Sequence, residues 1–214
     1  MKSFIRYLSY LVVIAGFSTA SAGAYEDFFK AIDKDDARTV ATLLQRGFDP
    51  NSRDEQGQVA LYVALRAPSL AAADALLAHP QLDVNATNTA GETPLMMAAL
   101  RGQLVWAHKL LARGAKLHGD GWSALHYAAA GPEPEFVRLL LEKGAPTDAR
   151  SPNGSTPLMM AARYGSEASV DLLLARGADP KLRNQRDLTA ADFARMDGRD
   201  SLAKRLESAT APRR

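Results

Sequence analysis

The 214-residue sequence predicts an all-α fold, a solenoid of stacked helix-turn-helix units. Three observations lead there. Apolar residues make up 47% of the chain but aromatics only 7%. That load of Ala and Leu suits helices in close contact and falls short of what a large sheet takes up. Punctuating residues also recur in rhythm. Gly57, Gly91, Gly121, Gly154 and Asp187 follow one another at intervals of 34, 30, 33 and 33 residues. Gly47, Pro80, Gly114, Gly144 and Gly177 do so at 33, 34, 30 and 33. Two independent markers sharing one rhythm are the signature of a repeat array. Finally, each period holds two apolar stripes at helical spacing, each too short to persist alone in water. A unit of this kind buries its apolar face against copies of itself.

The first two dozen residues are a different object. Lys2 and Arg6 precede an apolar run of 11 residues, Tyr7 to Phe17, and Ala20-Ser21-Ala22 then offers a small-x-small cleavage site. Ala22-Gly23-Ala24 is an overlapping second choice. This is the layout of a secretory signal peptide over 1–22, with cleavage after 24 as the variant. A membrane anchor is the competing reading, but a spanning helix needs roughly 20 apolar residues. The expected destination is the periplasm, with secretion further out left open, and no membrane span is expected after cleavage.

Removing Lys2 and Arg6 from 26 basic residues leaves 24, against 24 acidic ones. A near-neutral mature chain gives no electrostatic ground for nucleic-acid binding. The chain has no cysteine, which excludes disulfides, thiol catalysis and Cys-ligated metals.

Units are expected near 25–51, 52–85, 86–118, 119–148, 149–181 and 182–208, four internal repeats between two caps, with a flexible tail at 209–214. The clearest copy runs from Gly154 to Asp179. Thr156 is placed to cap a helix whose first turn holds Pro157, where a missing N–H costs nothing. Leu158, Ala161 and Ala162 share one face, and Gly165 breaks the helix. Val170, Leu173 and Leu174 form the second stripe, which Gly177 ends in a left-handed turn. In the first unit Phe28-Phe29 replaces the turn and Thr-Pro start. In the last, Lys204, Arg205 and Glu207 make the helix polar, as a terminal repeat requires.

Three hexapeptides carry the unit's signature: Thr93-Pro94-Leu95-Met96-Met97-Ala98, Ser123-Ala124-Leu125-His126-Tyr127-Ala128 and Thr156-Pro157-Leu158-Met159-Met160-Ala161. Val59 to Ala64 and Thr189 to Ala194 are weaker copies. Leu110 to Ala115, Leu140 to Ala145 and Leu173 to Ala178 repeat the pattern L-L-x-x-G-A. In these features the chain resembles the ankyrin repeat, with its T-P-L-H-x-A motif and period of 33. The resemblance covers nearly everything from Tyr25 to Ser208. It implies that His126 steadies the adjoining turn through a hydrogen bond. It also implies a concave surface, lined by turn tips and first helices, that binds another protein.

The most telling departure is the loop from Gly114 to Gly121, three residues shorter than its counterparts at Gly47–Gly57 and Gly144–Gly154. A notch in the row of turns is expected there, beside Trp122. The candidate partner-binding residues are Trp122, Tyr127, Arg66, Arg101, Arg163, Tyr164, Met97 and Met160. Aromatic residues and arginine are enriched among interface hot spots. Met97, Tyr127 and Met160 fit packing between repeats equally well, and the arginines also fit a solvated surface. Trp106 reads as packing.

No catalytic constellation is present: there is no G-x-S-x-G elbow and no phosphate loop ahead of a Lys. His118, Asp120 and His126 are the one cluster within a metal site's vocabulary, at a spacing that matches no zinc motif. The expected role is therefore a non-enzymatic scaffold, without cofactor, that binds an unidentified exported protein through the concave face. The alternative is a small-ligand or metal carrier using a pocket under the loop at 114–121. The acidic stretch Glu26–Glu55 and basic stretch Lys181–Arg214 raise head-to-tail association, although a monomer is the expectation.

Overall fold

The computed structural model describes residues 19–67, 69–119 and 121–209, with side chains from residue 23 onward. The signal peptide expected at 1–22 lies almost wholly outside the described residues, as do Asp120 and nearly all of the tail. The described residues form twelve helices. They are α1 (Thr19–Asp33), α2 (Ala37–Gln45), α3 (Ala60–Arg66), α4 (Leu70–Leu77), α5 (Pro94–Leu100) and α6 (Leu104–Ala112). The series continues with α7 (Ala124–Ala130), α8 (Pro134–Glu142), α9 (Pro157–Tyr164), α10 (Glu167–Ala175), α11 (Ala190–Met196) and α12 (Asp200–Ala209). None is long and apolar enough to cross a membrane.

Odd-numbered helices pack against one another in an unbroken row from α1 to α11, and each leans on the even-numbered helix that follows it. That is a stack in which neighbours touch and distant units do not. The core follows the predicted stripes: Leu95, Leu125 and Leu158 are fully buried in the first-helix row, and Leu110, Leu140 and Leu173 in the second.

Local chemistry explains why the first helices start where they do. The Thr156 hydroxyl accepts from the Met159 N–H, with Pro157 in the first turn, and Thr93 does the same for α5 with Met96. Met159 and Met96 return the bond through Sδ, each 3.4 Å from the capping residue's backbone N. At the other end of α9, Gly165 stops the helix as the sequence suggested, but for a reason of space. Its φ is an ordinary −90°, whereas a Cβ there would lie 2.0 Å from the Ala129 carbonyl oxygen. Backbones of adjacent units meet at that point.

Between units, the chain makes a hydrogen-bonded turn. Asp54, Asn88 and Asn184 each accept, through side-chain oxygen, the backbone N–H groups two and four residues ahead. These turns need a left-handed residue, supplied by Gly57, Gly91 and Gly154 and, at φ 60°, by Asp187. His118 bridges to Ser123, five residues on, where Arg53 bridges to Val59, six residues on. Arginines then stitch turn to turn: Arg150 Nη1 donates to the carbonyls of Gly154 and, in the next unit, Arg183, both at 2.7 Å.

Candidate protein-binding groove

Trp122 stands at the edge of the first-helix row, beside the shortened loop. It occupies the place that Gln58, Glu92 and Ser155 hold in other units. Its ring meets His126 edge-on at 5.2 Å and Tyr127 at 6.4 Å. With Leu100, Ala130, Met160 and Tyr164 these residues enclose an open groove of about 360 Å³. Its surface is overwhelmingly apolar, and Leu100 and Tyr164 leave 38% and 53% of their area in solvent.

Two polar devices hold the groove's walls. His126 is 1% exposed. Its Nδ1 lies 3.2 Å from the Ser123 backbone N and accepts that N–H, so Nε2 carries the proton and donates to the Ser155 carbonyl at 3.0 Å. The bond into the next turn is the role implied for this histidine. Burial pushes its pKa below the ordinary value of 6.5, although the bond to Ser155 opposes the shift. The ring is therefore neutral at pH 7, and both nitrogens are engaged.

The second device centres on Glu92. Tyr127 Oη donates to Oε1 at 2.5 Å, while Tyr62 Oη and Asn88 Nδ2 donate to Oε2 at 2.6 and 2.7 Å. One carboxylate thus joins three successive units. Burial disfavours its charge, yet the hydrogen bonds from Tyr127, Tyr62 and Asn88 outweigh burial and hold its pKa below the usual range. Burial first, then the bond to Glu92, pushes both tyrosine hydroxyls up, so they remain donors.

The structure sorts the eight sequence candidates into groups. Trp122, Tyr127, Met160 and Tyr164 line the groove together. Met97 does not take part: at 5% exposure it is packed between units, and its place among binding residues is corrected. Arg66 lies apart, bonded to Gln58 Oε1 at 2.6 Å and lining a separate recess with Tyr25 and Phe29. No continuous basic stripe forms. Arg163 stands over the Tyr164 ring at 4.9 Å, its Nε buried without a hydrogen-bond partner, and Arg101 is exposed. Trp106 is packed, at 3% exposure, as read from the sequence.

Sequence reasoning put Leu100 and Ala130 on the concave face without choosing them as candidates, and missed Glu92 as the link between two tyrosines. Alignment of the units already contained the first signal. Arg66, Leu100, Ala130, Arg163 and Met196 occupy one position, and Ala130 is the only small one. As for metal, Asp120 lies outside the described residues. Among those described, no group of three or more His, Cys, Asp or Glu side chains is placed to hold an ion.

Comparison with known proteins agrees with this geometry. The family model for "Ankyrin repeats (3 copies)" matches residues 28–119 and 107–184. Protein glp-1 of Caenorhabditis elegans is 30% identical over 78% of this chain, which spans 14% of that protein. Human Rabankyrin-5 is 31% identical over 65% of this chain, again a small part, 12%, of the relative. Among solved structures, a chain in the complex of the Bd0816 predatory endopeptidase from Bdellovibrio bacteriovorus with immunity protein Bd3460 superposes with a TM-score of 0.70. It is 28% identical, and the match covers 85% of this chain and 97% of that one. The period, the capped first helices and the family match over most of the described length agree: the chain belongs to the ankyrin repeat family.

Proposed function

We propose that this protein is a non-catalytic scaffold of the periplasm that holds another exported protein on its concave face. The groove walled by Trp122, Tyr127, Met160 and Tyr164 carries the reading, because it gathers exposed aromatic and apolar surface on the row of first helices. The charged start, apolar run and small-residue site before Tyr25 support export. The neighbour in an endopeptidase–immunity protein complex is nearly fully covered by this chain, which makes a peptidase the first class of partner to try.

The test is capture in cells. Crosslinking followed by pull-down from the periplasmic fraction should recover a partner with the native protein. The Trp122→Ala, Arg163→Ala double variant should lose that partner while its thermal unfolding stays almost unchanged, since Trp122 is half-buried and Tyr164, beneath Arg163, faces solvent. Equal capture by both proteins would sink the reading.

A further inference from the structure

We propose that the groove is a socket for one bulky apolar side chain flanked by a carboxylate, on a loop or chain end of the partner protein. This rests on reading that face as a docking surface, and it adds what the surface recognises. The socket exists because one unit withholds side chains. Where neighbouring units place Leu100-Arg101 and Arg163-Tyr164, this unit has Ala130-Gly131. Leu100 on one side and Met160 with Tyr164 on the other then stand as walls, with Trp122 at the rim. Gly131 leaves no room for anything larger: a Cβ there would lie 2.6 Å from the Ala99 carbonyl oxygen. Ala130 is partly exposed and free of that limit, which makes it the specificity-determining position.

Charge identifies the rest of the occupant. The carboxylate nearest the aromatic wall, Glu92, is consumed by Tyr62, Tyr127 and Asn88. One cation remains at the rim, and a second follows a wall residue in the chain. Arg163 stacks on a groove wall with Nε unpartnered, Arg101 follows Leu100, and neither forms an ion pair among the described residues. An apolar centre with unbalanced positive charge at its edge selects a partner of the opposite pattern.

End-blocked peptides test this against the full protein by amide NMR titration. Gly-Glu-Phe-Leu-Glu-Gly should shift the Trp122 indole and Tyr164 amide signals. The Gln-for-Glu version should bind about tenfold more weakly, and the Ala-Ala version more weakly still. Ala130→Met, which installs the residue that Met196 supplies two units on, should abolish the shifts without lowering Tm. Trp122→Ser does the same from the rim, should the first variant prove unstable. Absence of shifts in the native protein, shifts elsewhere, equal binding of the Glu and Gln peptides, or binding that survives both variants would each overturn the socket. Cellular capture separates this failure from that of the scaffold reading. A partner lost with Trp122→Ala, Arg163→Ala but kept with Ala130→Met leaves the scaffold and removes the socket. A partner kept by both removes the scaffold.

Discussion

Units 149–181 and 119–148 are built alike and do different things. In both, the first helix is buried through Ala and Leu, the second through a Leu that is fully enclosed, and a left-handed glycine ends the pair. In the first, Thr156 caps with Met159, a full turn projects from Ser151 to Ser155, and Arg163-Tyr164 fill the exposed face. In the second, His126 takes the methionine's place, the loop from Gly114 to Gly121 is three residues shorter, and Ala130-Gly131 leave that face bare. Regularity thus marks the shared packing, and small residues in one copy mark the recess. A repeat array creates a recess most simply by omitting atoms from one copy while its neighbours hold their shape.

The comparison can be broken at its common part first. If both units share one packing scheme, Leu140→Ala and Leu173→Ala should each cost about 2–5 kcal/mol and agree closely, since both side chains are wholly buried. Urea unfolding measures this, and a loss in one variant alone would mean the two units are held together differently. Next in size is the backbone contact between them. Gly165→Ala drives a methyl group into the Ala129 carbonyl oxygen and should cost about 1–3 kcal/mol. Gly165 has an ordinary φ, so Ala is conformationally acceptable and the whole loss reports on steric overlap. An unchanged Tm would show that the units do not approach so closely.

The fold was legible because its signals are local and repeated: Thr156-Pro157, Gly177, and Leu173 spaced from Val170 each report one helix end or one face. The shortened loop was legible too, as an interval of 30 in a series near 33. Parts of the site were not. Met97 and Met160 hold equivalent positions, yet one is buried and the other lines the groove. What differs is what the adjoining unit supplies: Met160 shares the groove lining with the small Ala130, a residue thirty positions away. The Tyr62–Glu92–Tyr127 link is hidden for the same reason, since no single unit contains two of its three members in contact. Arg66 and Arg163 align in sequence, but a local Gln58 draws one aside and a Tyr164 ring receives the other.

The smallest expected effect separates the two units by chemistry alone. Met159 cannot titrate, while His126 in the same position is buried with its pKa depressed. The unfolded chain binds a proton near the ordinary value of 6.5, and the folded chain binds it only at lower pH. Stability contributed by the neutral, hydrogen-bonded ring is therefore complete above pH 6.5 and is lost as pH falls from there toward the folded value. One proton allows a slope of at most about 1.4 kcal/mol per pH unit. His126→Met should copy the neighbouring unit, keep the return bond to the capping residue's N–H through sulfur, and give up the bond to Ser155. Its stability at pH 7.5 should drop by about 1 kcal/mol for that lost bond, and the slope between pH 6.5 and 5 should flatten. Glu92, depressed from 4.5, adds its own loss only below that range, so the two contributions separate along the pH axis. A variant with the native slope would assign the acid sensitivity to another group and leave His126 as a spacer.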